Sequence, residues 1–197
     1  MWVGDLHRIF FCVLSGLALV ACETGTIPAP KGSVRVAPEV VLALPKPSDL
    51  GRTLEASQLV TAHYGGQTFT FEGYISVTPE RLLLLGLDMM GRLALSVTWT
   101  EAGIQSETAP WLPEQVRPEN MLADIVMLYW PEDSVRGALS GAGNALASGP
   151  RYRSILSGGK EMIHADYDSD DPWTGTLNYR NLAWGYGLTV RSAEIPR

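Results

Sequence analysis

Cysteine is nearly absent from this chain: 197 residues carry two, Cys12 and Cys22, beside three histidines, His7, His63 and His164. A disulfide framework needs cysteines in pairs within the mature domain, and a structural zinc site needs about four Cys or His ligands, so neither is expected. Positive charge is also short, with 15 Lys+Arg against 21 Asp+Glu and a net charge of −6. The basic residues are scattered, without the clustered stripe that neutralises phosphates, and this excludes a nucleic-acid partner. No uncharged run reaches the ~20 residues of a membrane-spanning helix. A G-x-S-x-G elbow and a lysine-bearing phosphate loop are missing as well; the glycine-rich stretch Ser140–Gly149 follows a helical passage and reads as a loop.

What the chain does have begins at its N-terminus. Ile9 to Ala21 is a run of thirteen residues without a charge, too short to cross a bilayer and of the length of a signal-peptide core. It ends in Leu19-Val20-Ala21-Cys22. Ala21 suits the −1 position of an ordinary cleavage site, but Leu19 does not suit −3. A signal peptide with an accidental cysteine, or an uncleaved helix, is the alternative. Cysteine bookkeeping favours lipid attachment, because cleavage before Cys22 removes Cys12 and leaves one thiol, which acylation would occupy.

Residues 22–50 carry prolines at 28, 30, 38, 45 and 47, a spacing that removes backbone donors and favours an extended tether. Within it Glu39–Leu44 is apolar enough to add a strand, and the stretch from Ser48 predicts a short helix capped by that serine. Beyond residue 50 the period changes to two. Phe69, Phe71, Gly73, Ile75 and Val77 share one face of a strand, as do Leu93, Leu95, Val97 and Trp99 of another. Leu82–Leu85 is apolar on both faces, which predicts a strand covered from both sides. Two later segments give the single faces Trp173-Gly175-Leu177-Tyr179 and Trp184-Tyr186-Leu188-Val190. One helical passage interrupts the strands: Pro118 suits a first turn, Met121, Leu122, Ile125, Leu128 and Tyr129 recur at helical spacing, and Pro131 ends it. A second short helix carries Val135 and Leu139. The expected plan is roughly four strands, two helices, then four or five strands.

Asp124 lies in the first helix and is expected on its solvent side. Asp166, Asp168 and Asp170 have the i, i+2, i+4 spacing that opens a calcium loop, but Asp171 stands where glycine is needed and Leu177 where a bidentate glutamate is needed. They read as a solvated acidic hairpin tip. No catalytic residue, metal or cofactor is expected, and the chain is not expected to be an enzyme.

Leu19 to Cys22 resembles the lipobox of bacterial lipoproteins. The segments Leu54–Val97, Met121–Pro131 and Asn181–Val190 resemble a family of uncharacterised Gram-negative outer-membrane lipoproteins related to the lipoprotein-localisation factors LolB and LolA. The resemblance implies residues 1–21 as signal peptide, 22–50 as lipidated Cys22 plus tether, and 51–197 as a half-barrel domain. That fold is mainly β (α+β): an open, incomplete antiparallel barrel of about 8–11 strands with helices over its concave face. It further implies an apolar cavity for acyl chains, with Phe69, Phe71, Leu93, Leu95, Val97, Trp99, Leu122 and Ile125 as its lining; on pattern alone Leu93 to Trp99 read as plain core. Glu23 after the cysteine implies outer-membrane sorting, with the domain in the periplasm. The partners implied are membrane lipid through acylated Cys22 and an acyl-chain cargo or a periplasmic carrier protein, and a monomer is expected. A structural lipoprotein scaffolding an envelope complex is the alternative function.

Overall fold

The structure, a computed structural model, describes residues 32–112 and 116–196. The signal-peptide segment, Cys22 and the first part of the expected tether lie outside the described residues. Among the described residues, thirteen strands, two α-helices and a 3₁₀ turn follow one another in simple order. β1 (Ser33–Ala37) and β2 (Val40–Ala43) form a hairpin, and the 3₁₀ turn spans Pro47–Leu50. A meander of five strands comes next: β3 (Leu54–Tyr64), β4 (Gln67–Val77), β5 (Arg81–Asp88), β6 (Leu93–Thr100) and β7 (Gly103–Thr108). Then come α1 (Pro118–Tyr129), α2 (Glu132–Ala138) and the two-residue β8 (Leu139–Ser140). A second meander closes the chain: β9 (Asn144–Gly149), β10 (Tyr152–Ser157), β11 (Lys160–Tyr167), β12 (Gly175–Asn181) and β13 (Tyr186–Glu194).

The two meanders join through β3 and β13 into one ten-stranded antiparallel sheet, β7-β6-β5-β4-β3-β13-β12-β11-β10-β9. Its two end strands do not meet, so the barrel is open. One residue shows how strongly the sheet curls. The Trp130 ring lies 6.0 Å from that of Trp99 on β6, and the Trp130 carbonyl accepts a 2.7 Å hydrogen bond from Arg153 on β10. Those strands are seven steps apart in the sheet, roughly 34 Å if it were flat at ~4.8 Å per step. The sheet therefore wraps around the helix, as the half-barrel expectation required.

The tether expectation is corrected from residue 33 on, except that the strand expected within Glu39–Leu44 is present as β2 (Val40–Ala43). Val34, Val36, Val40 and Leu42 are buried, and β1, β2 and β8 make a small second sheet with β1 packed on α1. The prolines punctuate this hairpin: Pro38 stands between its strands, and Pro45 and Pro47 follow it, so neither strand loses a donor. The helix expected from Ser48 is instead the 3₁₀ turn, whose Asp49 carboxylate accepts from the Lys46 N–H at 2.9 Å. Leu54–Tyr64, which has little apolar alternation, is an eleven-residue strand because β4 and β13 pair with it on both sides. Ser140–Gly149, read as a loop, contains β9. Leu139 leaves the second helix to start β8.

Candidate functional site

α1 fills the hollow of the curled sheet. Pro118 begins it, where a missing N–H costs nothing, and Pro131 ends it by denying the next bond. Every residue from Leu122 to Tyr129 is buried. A helix buried all round has no polar face to spare, and here the cover opposite the sheet is β1. This is why Asp124, expected at the solvent side, lies inside.

Asp124 is held by two tyrosines of the sheet. Tyr179 on β12 donates to Oδ1 at 2.7 Å, and Tyr186 on β13 donates to Oδ1 at 3.0 Å and Oδ2 at 2.8 Å. The register explains the pairing: Tyr179 faces Leu188 and Asn181 faces Tyr186, so these side chains rise from one patch of one face. Asn181 Nδ2 donates to the Val36 carbonyl at 3.0 Å and ties the small sheet to the same patch. Burial pushes the Asp124 carboxyl from its ordinary 3.8 up to about 6, and the two tyrosine donors pull it only part of the way back. Burial likewise pushes the Tyr179 and Tyr186 hydroxyls well up, helped by the nearby carboxylate.

One turn and more along α1, a second polar group repeats the arrangement. Gln58 Nε2 on β3 donates to Tyr129 Oη at 2.9 Å and to Ser192 Oγ on β13 at 3.0 Å. Burial raises the Tyr129 hydroxyl to about 12. At the helix end, Arg153 on β10 donates to the carbonyls of Met127 (3.1 Å) and Trp130 (2.7 Å), and Tyr167 on β11 donates to that of Leu128 (2.8 Å). A guanidinium and a hydroxyl thus satisfy carbonyls that have no partner within the helix, and the cation complements the negative end of its dipole.

The other half of the sheet meets α1 without such bonds. Ile75 and Val77 of β4, Leu82 and Leu84 of β5, and Leu95, Val97 and Trp99 of β6 are buried in the same core. Among the described residues, no hydrogen bond joins α1 to β4, β5, β6 or β7. Gly86 makes room here, since a Cβ in its place would stand 3.0 Å from Leu95 Cγ. Beside this core, two grooves of about 380 and 390 Å³ open to solvent. One lies along Leu44, Pro45, Trp99 and Glu101, the other along Thr108, Leu112, Val116 and Pro118.

The expected lining residues divide accordingly. Leu95, Val97 and Trp99 face inward with Leu122 and Ile125 of α1, all five buried. Phe69 and Phe71 share the inward face of β4 nearer the β3–β4 turn and are half-buried. Leu93 is corrected: it is 49% exposed, because Gly86 pairs with Leu95 and Leu87 with Leu93, leaving Ala94 as an extra residue. That bulge turns Leu93 away from the face it shares by simple alternation. Cys22 lies outside the described residues.

The acidic segment after β11 uses its carboxylates locally. Asp168 accepts from the Thr176 N–H, Asp171 from the Trp173 N–H and Arg52, and Asp170 pairs with Arg151. Asp166 meets His164 Nε2 at 3.0 Å, while Glu161 meets its Nδ1 at 2.8 Å. Burial pulls the His164 pKa down, but hydrogen bonds and charge from Asp166 and Glu161 more than offset this and leave it raised.

Sequence reasoning did not find Gln58, Tyr129, Arg153, Tyr167, Tyr179, Asn181 or Tyr186 as a set. The tyrosines at 179 and 186 stood on recognisable strand faces; the signal that was available is a hydroxyl on an otherwise apolar face opposite a helix that carries one acid.

Among the described residues, no helix is long and apolar enough to cross a membrane. Residues 55–194 match the family described as "Protein of unknown function (DUF3261)", and the chain belongs to that family. No curated protein matches it. The crystal structure of a DUF1329 family protein from Desulfovibrio piger aligns over 75% of this chain and 87% of that one, with a TM-score of 0.32 and 8% identity.

Proposed function

We propose that this member of the DUF3261 family is a non-enzymatic, outer-membrane-anchored lipoprotein that takes an acyl chain, of a lipid or of another lipoprotein, between α1 and strands β4–β6. Residues 1–21 act as a signal peptide, Cys22 carries the anchor, and the domain faces the periplasm. The observation that supports the reading is the unequal grip on α1: hydrogen bonds to β3 and β10–β13, hydrocarbon alone to β4–β6. An acyl chain can replace hydrocarbon contacts on β4–β6 without stranding a buried donor or acceptor, whereas parting the other side would leave several unpaired. The helix then stays latched on one side while the other opens.

Native mass spectrometry of the full lipidated chain tests this. Chains attached at Cys22 survive denaturation and bound ones do not. The expected result is an added acyl mass that disappears on denaturation and is lost in Leu95→Glu. Absence of such a mass, together with no uptake of a fluorescent fatty acid, refutes the reading. It would leave the scaffold function, which the burial of every α1 residue from Leu122 to Tyr129 favours. Cys22→Ala should abolish palmitate labelling; persistent labelling refutes the anchor assignment.

A further inference from the structure

The two ends of the large sheet are finished differently. At the β9 end, the outward carbonyl of Leu146 accepts from Arg136 Nη1 of α2 at 3.0 Å, and Ser148 Oγ donates to Glu132 of the same helix at 2.6 Å. That edge is covered. At the β7 end, Gly103–Thr108 reads Gly-Ile-Gln-Ser-Glu-Thr, without proline or a basic residue and with one carboxylate; all but Ile104 are exposed. Proteins ordinarily blunt a free edge with charge, proline, a bulge or a covering element. Among the described residues, β7 has none of these beyond Glu107.

The register shows which groups the edge offers. Ala109 N–H donates to the Ala94 carbonyl at 2.8 Å, and pairing continues regularly through Leu95 with Thr108 to Thr100 with Gly103. Bonded and non-bonded pairs alternate in an antiparallel ladder, so Gly103, Gln105 and Glu107 bond back to β6. Ile104, Ser106 and Thr108 point their N–H and C=O groups away from the sheet.

We propose that this edge binds a second copy of the chain, β7 against β7 in antiparallel register, with the two-fold axis at Ser106. Ser106 then pairs with Ser106 of the second copy, Ile104 with its Thr108, and Gln105 with its Glu107. Every outward backbone group finds a partner. The sole carboxylate of each strand meets an amide and not its own like, so a chain of net charge −6 brings no like charges face to face here. Ile104 and Thr108 share the helix-side face, so Ile104 of the second copy lies over the 390 Å³ groove that Thr108, Leu112 and Val116 line. A six-residue strand buries far less than the ~800 Å² per partner of a standard interface, so the dimer is weak and concentration-dependent. It replaces the monomer expected from the sequence and stands independently of acyl binding.

Cysteine cross-linking reads the register directly. In the full chain with Cys12→Ser and Cys22→Ser, the introduced thiol is the only one. Ser106→Cys puts two thiols on facing residues, within the ~4.4–6.8 Å Cα spacing of a disulfide; in Gln105→Cys they lie two residues out of step, beyond its reach. Mild oxidation should convert Ser106→Cys to covalent dimer at least tenfold faster than Gln105→Cys. Sedimentation of the wild-type chain should show a dimer at high concentration that Ser106→Lys abolishes, because it sets two ammonium groups opposite each other. Ser106→Lys leaves the β6 ladder intact, and circular dichroism checks that it remains folded. Equal cross-linking of the two cysteine variants, or a wild-type chain monomeric at all concentrations, overturns the proposal; so does an extended peptide of another protein occupying β7 while the chain stays monomeric.

Discussion

Strands β3 and β10–β13 hold α1 through tyrosine, glutamine and arginine side chains, whereas β4–β6 meet it with leucine, isoleucine, valine and tryptophan alone. β3 and β4–β6 belong to the meander that precedes the helices and β10–β13 to the one that follows them, so the division falls within the first meander, and both sides bury their inner faces. The difference lies in what separation costs. On the hydrogen-bonded side each parted contact leaves a buried polar group wanting ~1–3 kcal/mol of compensation. On the apolar side the loss is packing alone, and a hydrocarbon guest can restore it.

The comparison breaks most severely at Trp99, whose ring packs on that of Trp130. Trp99→Ala should lower unfolding free energy by ~3–5 kcal/mol in urea titration, as cavities in well-packed cores do. An effect below about 1 kcal/mol would mean that the apolar side is already loose.

On the other side the sharpest probe is pH. The folded-state pKa of Asp124 is raised from 3.8 to about 6 by burial, so between those values the folded chain binds more protons than the unfolded one. Stability from this group is therefore full below pH ~4 and falls as pH rises to about 6, by about 3 kcal/mol. Paired unfolding curves for wild type and Asp124→Asn isolate the effect: the difference between them should change over that window and be flat above pH 7. A constant difference from pH 4 to 7 would contradict a buried carboxylate.

Arg153→Met should cost ~1.5–3 kcal/mol, because two helix-end carbonyls lose a charged donor. Tyr129→Phe should cost ~1 kcal/mol, since Gln58 keeps Ser192. The smallest effect is on the outer face: Asp166→Asn should lower the His164 pKa seen by NMR and barely alter stability. His164 stabilises the fold below its unfolded pKa and loses that contribution as pH rises through its raised folded value.

Much of this architecture was legible in the sequence, and the exceptions have physical reasons. Alternation in Phe69–Val77 and Leu95–Trp99 identified faces because one side of each strand is buried and the other is not. Pro118 and Pro131 bounded α1 because proline acts locally. Leu93 was misplaced by a bulge that only the pairing of β5 with β6 creates. The first strand of the hairpin at 33–43 was read as tether because it is short and prolines at 28, 30, 38, 45 and 47 flank and interrupt the segment; its partner, α1, lies some eighty residues away. The same distance hid Asp124, whose burial depends on that hairpin covering the helix, and on tyrosines more than fifty residues further on.

The central claim is that a guest acyl chain enters on the Trp99 side of α1 and leaves the other side closed. A dibrominated fatty acid, added below its micelle concentration, quenches only tryptophans it touches. Trp99 and Trp130 mark one side, and Trp173, 1% exposed and packed on Tyr129 at 4.3 Å between ring centres, marks the other. Saturable quenching in the full chain should largely vanish in Trp99→Phe/Trp130→Phe and persist in Trp173→Phe. No saturable quenching, or equal loss in the two variants, would contradict the account.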